Sequence, residues 1–264
     1  MDRLTRTRLM LGMCAVALGW TATSAAAQDA NQEGEDGARE NVIVVTAQRR
    51  EEDLQDVPIG ATVLTGEMLA KQGVEGIVAL QFAAPGLSVT DISSANILNI
   101  RGVGRSAVDI ELSSGVVVYR DGVPTFPGYF QNEPYYDIAS VEVLRGPQGT
   151  FVSKSAAGGA IFINTAKPDL SGLSGSIEGE LANYDEWNGT AIINASLSDT
   201  FGVRVAYHHM ERGDPLIDSL VGTYTGNPGE PNLDSIRFGA LWKPSANFDA
   251  ELRVDLSDLA FDGH

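Results

Sequence analysis

Beyond residue 171, apolar and polar side chains alternate with a period of two. Ile177, Gly179 and Leu181 fall on one side, with Ser176, Glu178 and Glu180 on the other. The next run sets Ala191, Ile193, Ala195 and Leu197 against Thr190, Asn194 and Ser196. Val203, Val205 and Tyr207 then oppose Arg204 and His208, and Ile236, Phe238, Ala240 and Trp242 oppose Arg237 and Lys243. Finally Leu252, Val254 and Leu256 oppose Glu251, Arg253 and Asp255. Successive side chains of a strand point to opposite faces, so the pattern predicts five antiparallel strands that share an apolar face. The connections alternate too: short at 183–186, tight at 198–202, long and rich in glycine and proline at 213–234, tight again at 244–247. Half of a soluble sandwich gives the same alternation of side chains. A membrane barrel also gives the alternation of loop lengths, and places aromatics near strand ends, where Tyr184, Trp187, Tyr207 and Trp242 are expected.

Residues 48–168 follow a different regime. A strand is predicted at 58–64, then a helix with Thr65 as N-cap, Glu67 in its first turn and Gly73 as its stop. A second short helix is expected over 76–82, and Pro85-Gly86 turns the chain. Further strands are expected at 87–90, 97–101, 115–119, 141–144 and 160–164, which makes a small α+β domain. Its most legible stretch is 141–168, VEVLRGPQGTFVSKSAAGGAIFINTAKP. Here Arg145-Gly146-Pro147-Gln148-Gly149 compresses a reversal between two strands, and Gly158-Gly159 opens the second of them.

On these residues the chain resembles the plug domain of TonB-dependent outer-membrane receptors. The resemblance is carried by Arg101-Gly102, by Asp121-Gly122-Val123, by 141–149, and by Gly158-Gly159 with the strand running to Lys167-Pro168. One departure is plain: Val152-Ser153-Lys154-Ser155 stands where the family has Tyr-Gly-Arg-Asn. The resemblance implies an α+β plug followed by the N-terminal antiparallel strands of a transmembrane β-barrel, incomplete here. Such barrels have about 22 strands, and about eight is the smallest that closes in lipid, so five predict a chain incomplete at His264. It also implies an outer-membrane receptor that takes up a scarce small-molecule ligand such as a metal chelate, an iron-siderophore complex being the commonest cargo. Energy would come through TonB with ExbB and ExbD, and outer-membrane lipid would surround the strands. A soluble periplasmic binding or adaptor module that uses the plug alone is the alternative.

Residues 1–27 have a basic start at Arg3, Arg6 and Arg8, an apolar run over 9–20, and Ser24-Ala25-Ala26-Ala27 as a cleavage site. They read as a signal peptide, the run being shorter than the about 20 residues of a membrane span. The net charge of −17 becomes −19 beyond this segment, which also contains Cys14, the one cysteine. Such acidity argues against a nucleic-acid partner. Residues 28–41 are polar and acidic and predict a disordered tether. Val42-Ile43-Val44-Val45-Thr46-Ala47 is then either a first plug strand or, by position and resemblance, the TonB box, a segment that adds to the edge of a partner's sheet. The plug is expected over 48–168 and the first five barrel strands over 169–264.

No catalytic residue, metal site or cofactor is predicted. Gly102-Val103-Gly104-Arg105-Ser106-Ala107 fits a dinucleotide fingerprint, with Asp121 at the spacing of a ribose-binding acid, but the residues behind it give no helix an apolar face. His208 and His209 are adjacent in a strand and so cannot share one metal. Asn188-Gly189-Thr190 and Asn194-Ala195-Ser196 match a glycosylation pattern but fall within strands. Arg145, alone among small and apolar residues, is expected to aim at carboxylates of the inner wall, with Glu178 and Glu180 as candidates for a plug–barrel latch; the alternative is a solvated arginine.

Overall fold

The computed structural model describes residues 44–45, 52–53, 60–92, 95–105, 114–125, 133–148, 156–183, 185–213 and 231–261. The expected signal segment, tether, box residues Val42, Ile43, Thr46 and Ala47, and turn residue Gly149 lie outside the described residues. Two short strands come first: β1 (Val44–Val45) pairs antiparallel with β2 (Glu52–Asp53), Val44 facing Asp53 and Val45 facing Glu52.

The plug is built from β3 (Gly60–Thr65), α1 (Gly66–Lys71), α2 (Leu80–Ala83), β4 (Leu87–Asp91), β5 (Asn96–Ile100), β6 (Val103–Gly104), β7 (Val116–Arg120), β8 (Val123–Pro124), β9 (Ile138–Arg145) and β10 (Gly159–Thr165). Thr65 caps α1 as expected, its Oγ1 accepting from the Met68 N–H at 3.3 Å. Gly73 turns left-handed just past the helix end, at φ 63°. The second helix is shorter than 76–82, because its N-cap is Ala79, which has no side-chain acceptor to hold an earlier first turn. Strand β9 lies between β3 and β10, antiparallel to both, and β10 runs parallel to β7. Val141, Val143, Ile161 and Ile163 line one face of this sheet and pack against Leu69, Ile77 and Leu80 and against Leu98 and Ile100 of the smaller β4-β5-β6 sheet. Each such fully buried aliphatic side chain contributes about 1.5–3 kcal/mol.

After the plug, β11 (Leu173–Ala182), β12 (Glu186–Ser198), β13 (Phe201–Arg212), β14 (Pro231–Ser245) and β15 (Phe248–Phe261) form one antiparallel meander in chain order. The strands hold 10 to 15 residues, enough to cross a hydrocarbon layer that takes about 9–11 when tilted. Their register sets Ile177, Ala191, Tyr207, Ile236 and Leu256 in one row, and Glu178, Thr190, His208, Ser235 and Ser257 in the row behind it. The apolar face is the bare one: Ile177 is 90% exposed and Leu256 63%. The polar face is covered, with Asn194, His208, Ser235 and Arg237 all buried. A soluble sandwich would bury the opposite face, so this inversion decides for a membrane wall. Trp187 and Trp242 lie near strand ends as expected, and Trp242 meets Phe248 edge-on at 5.9 Å. Tyr207 is mid-strand instead, where its hydroxyl donates to Asp234 at 2.5 Å.

Candidate functional site

The short motifs singled out in the plug are turns and clasps. Arg101 and Gly102, at φ 53° and 78°, reverse the chain so that Val103 of β6 lies opposite Ile100 of β5. Gly102 and Gly104 of the dinucleotide pattern thus belong to a hairpin, and residues 106–113, where the pattern needs its pyrophosphate helix, lie outside the described residues. Asp121 and Gly122, at φ 49° and 80°, turn β7 into β8. The Asp121 carboxylate accepts from the Thr165 N–H at 2.8 Å and from its hydroxyl at 3.0 Å. In the third motif the Gly146 N–H donates to the Gly158 carbonyl at 2.9 Å and the Gln148 N–H to that of Ala156 at 3.0 Å. The Gly158 N–H in turn reaches the Gly115 carbonyl at 2.8 Å. A Cβ on Gly158 would come to 2.5 Å from the Val103 carbonyl oxygen, so both sheets close over that glycine.

Arg145 does not form the expected latch. Its Nη1 donates to Thr62 Oγ1 at 2.8 Å and to the Pro85 carbonyl at 3.3 Å, and its Nη2 to the Ala61 carbonyl at 3.2 Å. Being the last residue of β9, it lies beside the start of β3, and these oxygens are nearer than the wall. Glu178 and Glu180 do lie on the face that carries Thr190 and Asn188, but on the exposed strand β11.

The wall grips the plug elsewhere, through three arginines that strand alternation marks only as polar-face residues. Arg204 on β13 forks onto Asp137, with Nε to Oδ2 at 2.9 Å and Nη2 to Oδ1 at 2.5 Å, and the Asp137 side chain is 3% exposed. Arg237 on β14 donates from Nη1 to the Tyr136 carbonyl at 3.1 Å and lies 4.6 Å from the centre of that ring. Its Nε is held by Asp255 at 2.5 Å. Arg253 on β15 is paired with Asp121 and with Glu251. His208 stacks on Tyr136 with ring centroids 5.2 Å apart. Asn194 holds the segment between plug and wall, accepting from the Asp169 N–H at 2.8 Å and donating to the carbonyls of Asp169 and Gly172 at 2.9 and 3.2 Å. Buried on the lumen side, it is not a glycosylation acceptor. Ionised donors facing ionised acceptors make hydrogen bonds about twice as strong as neutral ones, so the seat is held mainly by charge.

The two histidines part as strand geometry requires. His208 faces Tyr136, while His209 lies under the Trp187 ring at 4.2 Å with its Nδ1 2.9 Å from Asp234. Among the described residues no group of three or more His, Cys, Asp or Glu side chains is placed to hold a metal.

A small α+β domain seated by charge against the polar face of membrane-spanning strands defines a plugged barrel. Residues 53–160 match the family model of the TonB-dependent receptor plug domain. The chain is 32% identical over 191 residues to the pesticin receptor of Yersinia pestis, covering 70% of this chain and 27% of that protein. It is 28% identical over 208 residues to the iron-regulated outer membrane virulence protein of Vibrio cholerae, covering 75% of this chain and 31% of that one. Among solved structures it resembles the ferric yersiniabactin uptake receptor of Yersinia pestis, with a TM-score of 0.59 at 26% identity over 71% of this chain and 29% of that chain. The chain belongs to the TonB-dependent receptors: it carries their plug and the first strands of their barrel. It spans less than a third of the length of these relatives.

Proposed function

We propose that this chain forms the plug and first wall segment of an active transporter that takes up a scarce metal chelate, an iron-siderophore complex, across the outer membrane. Support for the cargo comes from the likeness to a ferric yersiniabactin uptake receptor and to an iron-regulated outer-membrane protein. The carrying observation is the plug itself, a folded domain seated on the polar face of the strands by Arg204, Arg237 and Arg253; in this reading it blocks the lumen until energy is supplied. In this reading residues 1–27 direct export, 28–41 form a tether, and 42–47 are the TonB box. Through the box TonB, powered by ExbB and ExbD, adds a strand and pulls. Strand β1 lies inside this box with one edge paired to β2, and among the described residues no strand pairs with its other edge.

The test is uptake of radiolabelled iron presented as chelates of different classes, catecholate, hydroxamate and phenolate-thiazoline. Cells carry the receptor with or without TonB. Energy-dependent accumulation of one class is expected; no accumulation of any, with the receptor present in the outer membrane, refutes the cargo.

A further inference from the structure

We propose that Arg204, Arg237 and Arg253 are positioning residues that form one seat for the plug, and that the seat works through two strained aspartate turns, at Asp137 and Asp121. The inference rests on the plugged-receptor reading but needs neither the cargo nor the energy partner.

The register brings the three arginines together. Arg204 of β13 lies opposite Gly239 of β14, and Gly239 lies opposite Arg253 of β15. Arg237 is two residues from Gly239 on the same strand and the same face. At the centre of this group the wall has no side chain, and the end of the plug fills the gap: a Cβ on Gly239 would stand 3.2 Å from the Pro168 ring. A proline knob thus enters a glycine socket ringed by three guanidinium groups.

Two of the arginines are braced by wall acids, Arg237 by Asp255 and Arg253 by Glu251, which fixes the direction of each fork before the plug arrives. On the plug side, Asp137 and Asp121 both have left-handed backbones, at φ 51° and 49°. That conformation is uncommon for a residue with a Cβ and is best tolerated by aspartate and asparagine, so the turns present carboxylates at the two points the wall addresses. Asp121 is further held by the Thr165 N–H and hydroxyl, which ties the seat to the end of β10. All the seat's plug ligands, Asp121, Tyr136, Asp137 and Pro168, fall in the later half of the domain. The seat therefore fixes how the plug registers against this wall.

The experiment reverses charge on one pair and reads the seal. In the receptor as the outer membrane carries it, Arg204→Asp and Asp137→Arg are made singly and together. Entry of vancomycin, which an intact outer membrane excludes, is measured in cells without added ligand. Heat-modifiable receptor in outer membranes is quantified alongside, to normalise for assembly. Each single reversal is expected to raise entry per assembled receptor roughly tenfold or more, the factor that corresponds to about 1.4 kcal/mol. The double reversal is expected to return it towards the parent level. Because a single reversal can block assembly, a second measurement uses Asp137→Cys with Arg204→Cys and a short bismaleimide, whose cross-linked peptide is sought by mass spectrometry. Parent-level entry in both single variants, a double variant that leaks as much as either, or assembled receptor that yields no cross-linked peptide would overturn the seat. Absence of chelate uptake by the parent receptor, with its seal intact, would instead count against the cargo reading alone.

Discussion

The His208 ring lies nearly parallel to Tyr136, with 12° between the planes, and so couples a barrel strand to the plug by aromatic contact alongside the charged seat. Tyr136 is 5% exposed and also receives Arg237 over its ring and a hydrogen bond with Ser235. Truncation should therefore be costly: Tyr136→Ala is expected to lower stability by about 3 kcal/mol or more, the range for emptying a buried aromatic site. Tyr136→Phe keeps both ring contacts and should cost only about 1 kcal/mol, the net value of one hydrogen bond. Urea unfolding of the purified receptor in detergent reads both, and a Phe variant as weak as the Ala variant would show that the hydroxyl, and not the ring, is what matters.

Two glycines with the same backbone hand separate strain from crowding. Gly102 has φ 78° and open space where a Cβ would stand, whereas Gly115 has φ 65° and Gly104 Cα only 2.9 Å from that point. Gly102→Ala should cost about 1–2 kcal/mol, the ordinary penalty for a left-handed alanine. Gly115→Ala adds an overlap with backbone that no rotamer relieves, and should cost at least about 1 kcal/mol more. Equal unfolding midpoints for the two variants would mean that the β6 backbone moves away freely.

Glu75 supplies a pH dependence on the plug side. Its side chain is exposed on one side, but the protein atoms on the other desolvate it, and Glu180 and Glu186 of the wall add repulsion; together they hold its carboxyl above the ordinary value of 4.5. A carboxyl whose pKa is raised on folding contributes stability that is fully present below its unfolded value and lost as pH rises through its folded value. At neutral pH the ionised Glu75 is thus a standing cost. Glu75→Gln should raise the melting temperature at pH 7 and change it less at pH 4. A variant that melts no higher than the parent at pH 7 would show that water relieves the repulsion.

The order of elements and the two faces of the wall were legible because periodicity alone carries them. Thr65, Gly73 and the alternation around Ile177 and Glu178 needed no partner to be read. What was not legible depended on register and docking. Arg204, Arg237 and Arg253 are legible as polar-face residues of three successive strands, but Arg212 shares the face of Arg204 on β13 and alternation does not separate it from them. Their convergence around Gly239, however, follows only from which residues of β13, β14 and β15 lie opposite one another. Arg145 misled for a related reason. An arginine among small residues looks free to reach out, yet a strand end beside β3 offers it the Ala61 and Pro85 carbonyls at closer range. Alternation puts Tyr207 near a strand end, whereas β13 and β14 run further than their alternation shows, Asp234 included.

The last prediction concerns the box. Strand addition to an edge relies on backbone N–H and C=O groups, and proline removes a donor and fixes φ near −65°, away from strand geometry. Val44 and Val45, the box residues among those described, are in strand form and paired with Asp53 and Glu52. Val44→Pro or Val45→Pro should therefore abolish energy-dependent uptake of the chelate while leaving its binding at the cell surface unchanged, because neither the seat nor the lumen face includes these residues. Pairing with β2 also bears on affinity. A partner strand that displaces Glu52–Asp53 must break existing hydrogen bonds as it makes new ones, each worth about 0.5–1.5 kcal/mol net. Replacing Asp53 by proline, which weakens β2 and leaves the box itself intact, should then tighten TonB binding if displacement is the route, and leave it unchanged if TonB uses the other edge. Titration of a peptide spanning 42–53 with the purified periplasmic domain of TonB, with and without the Asp53→Pro change, distinguishes these routes. Normal uptake in both valine-to-proline variants would sink the box assignment itself.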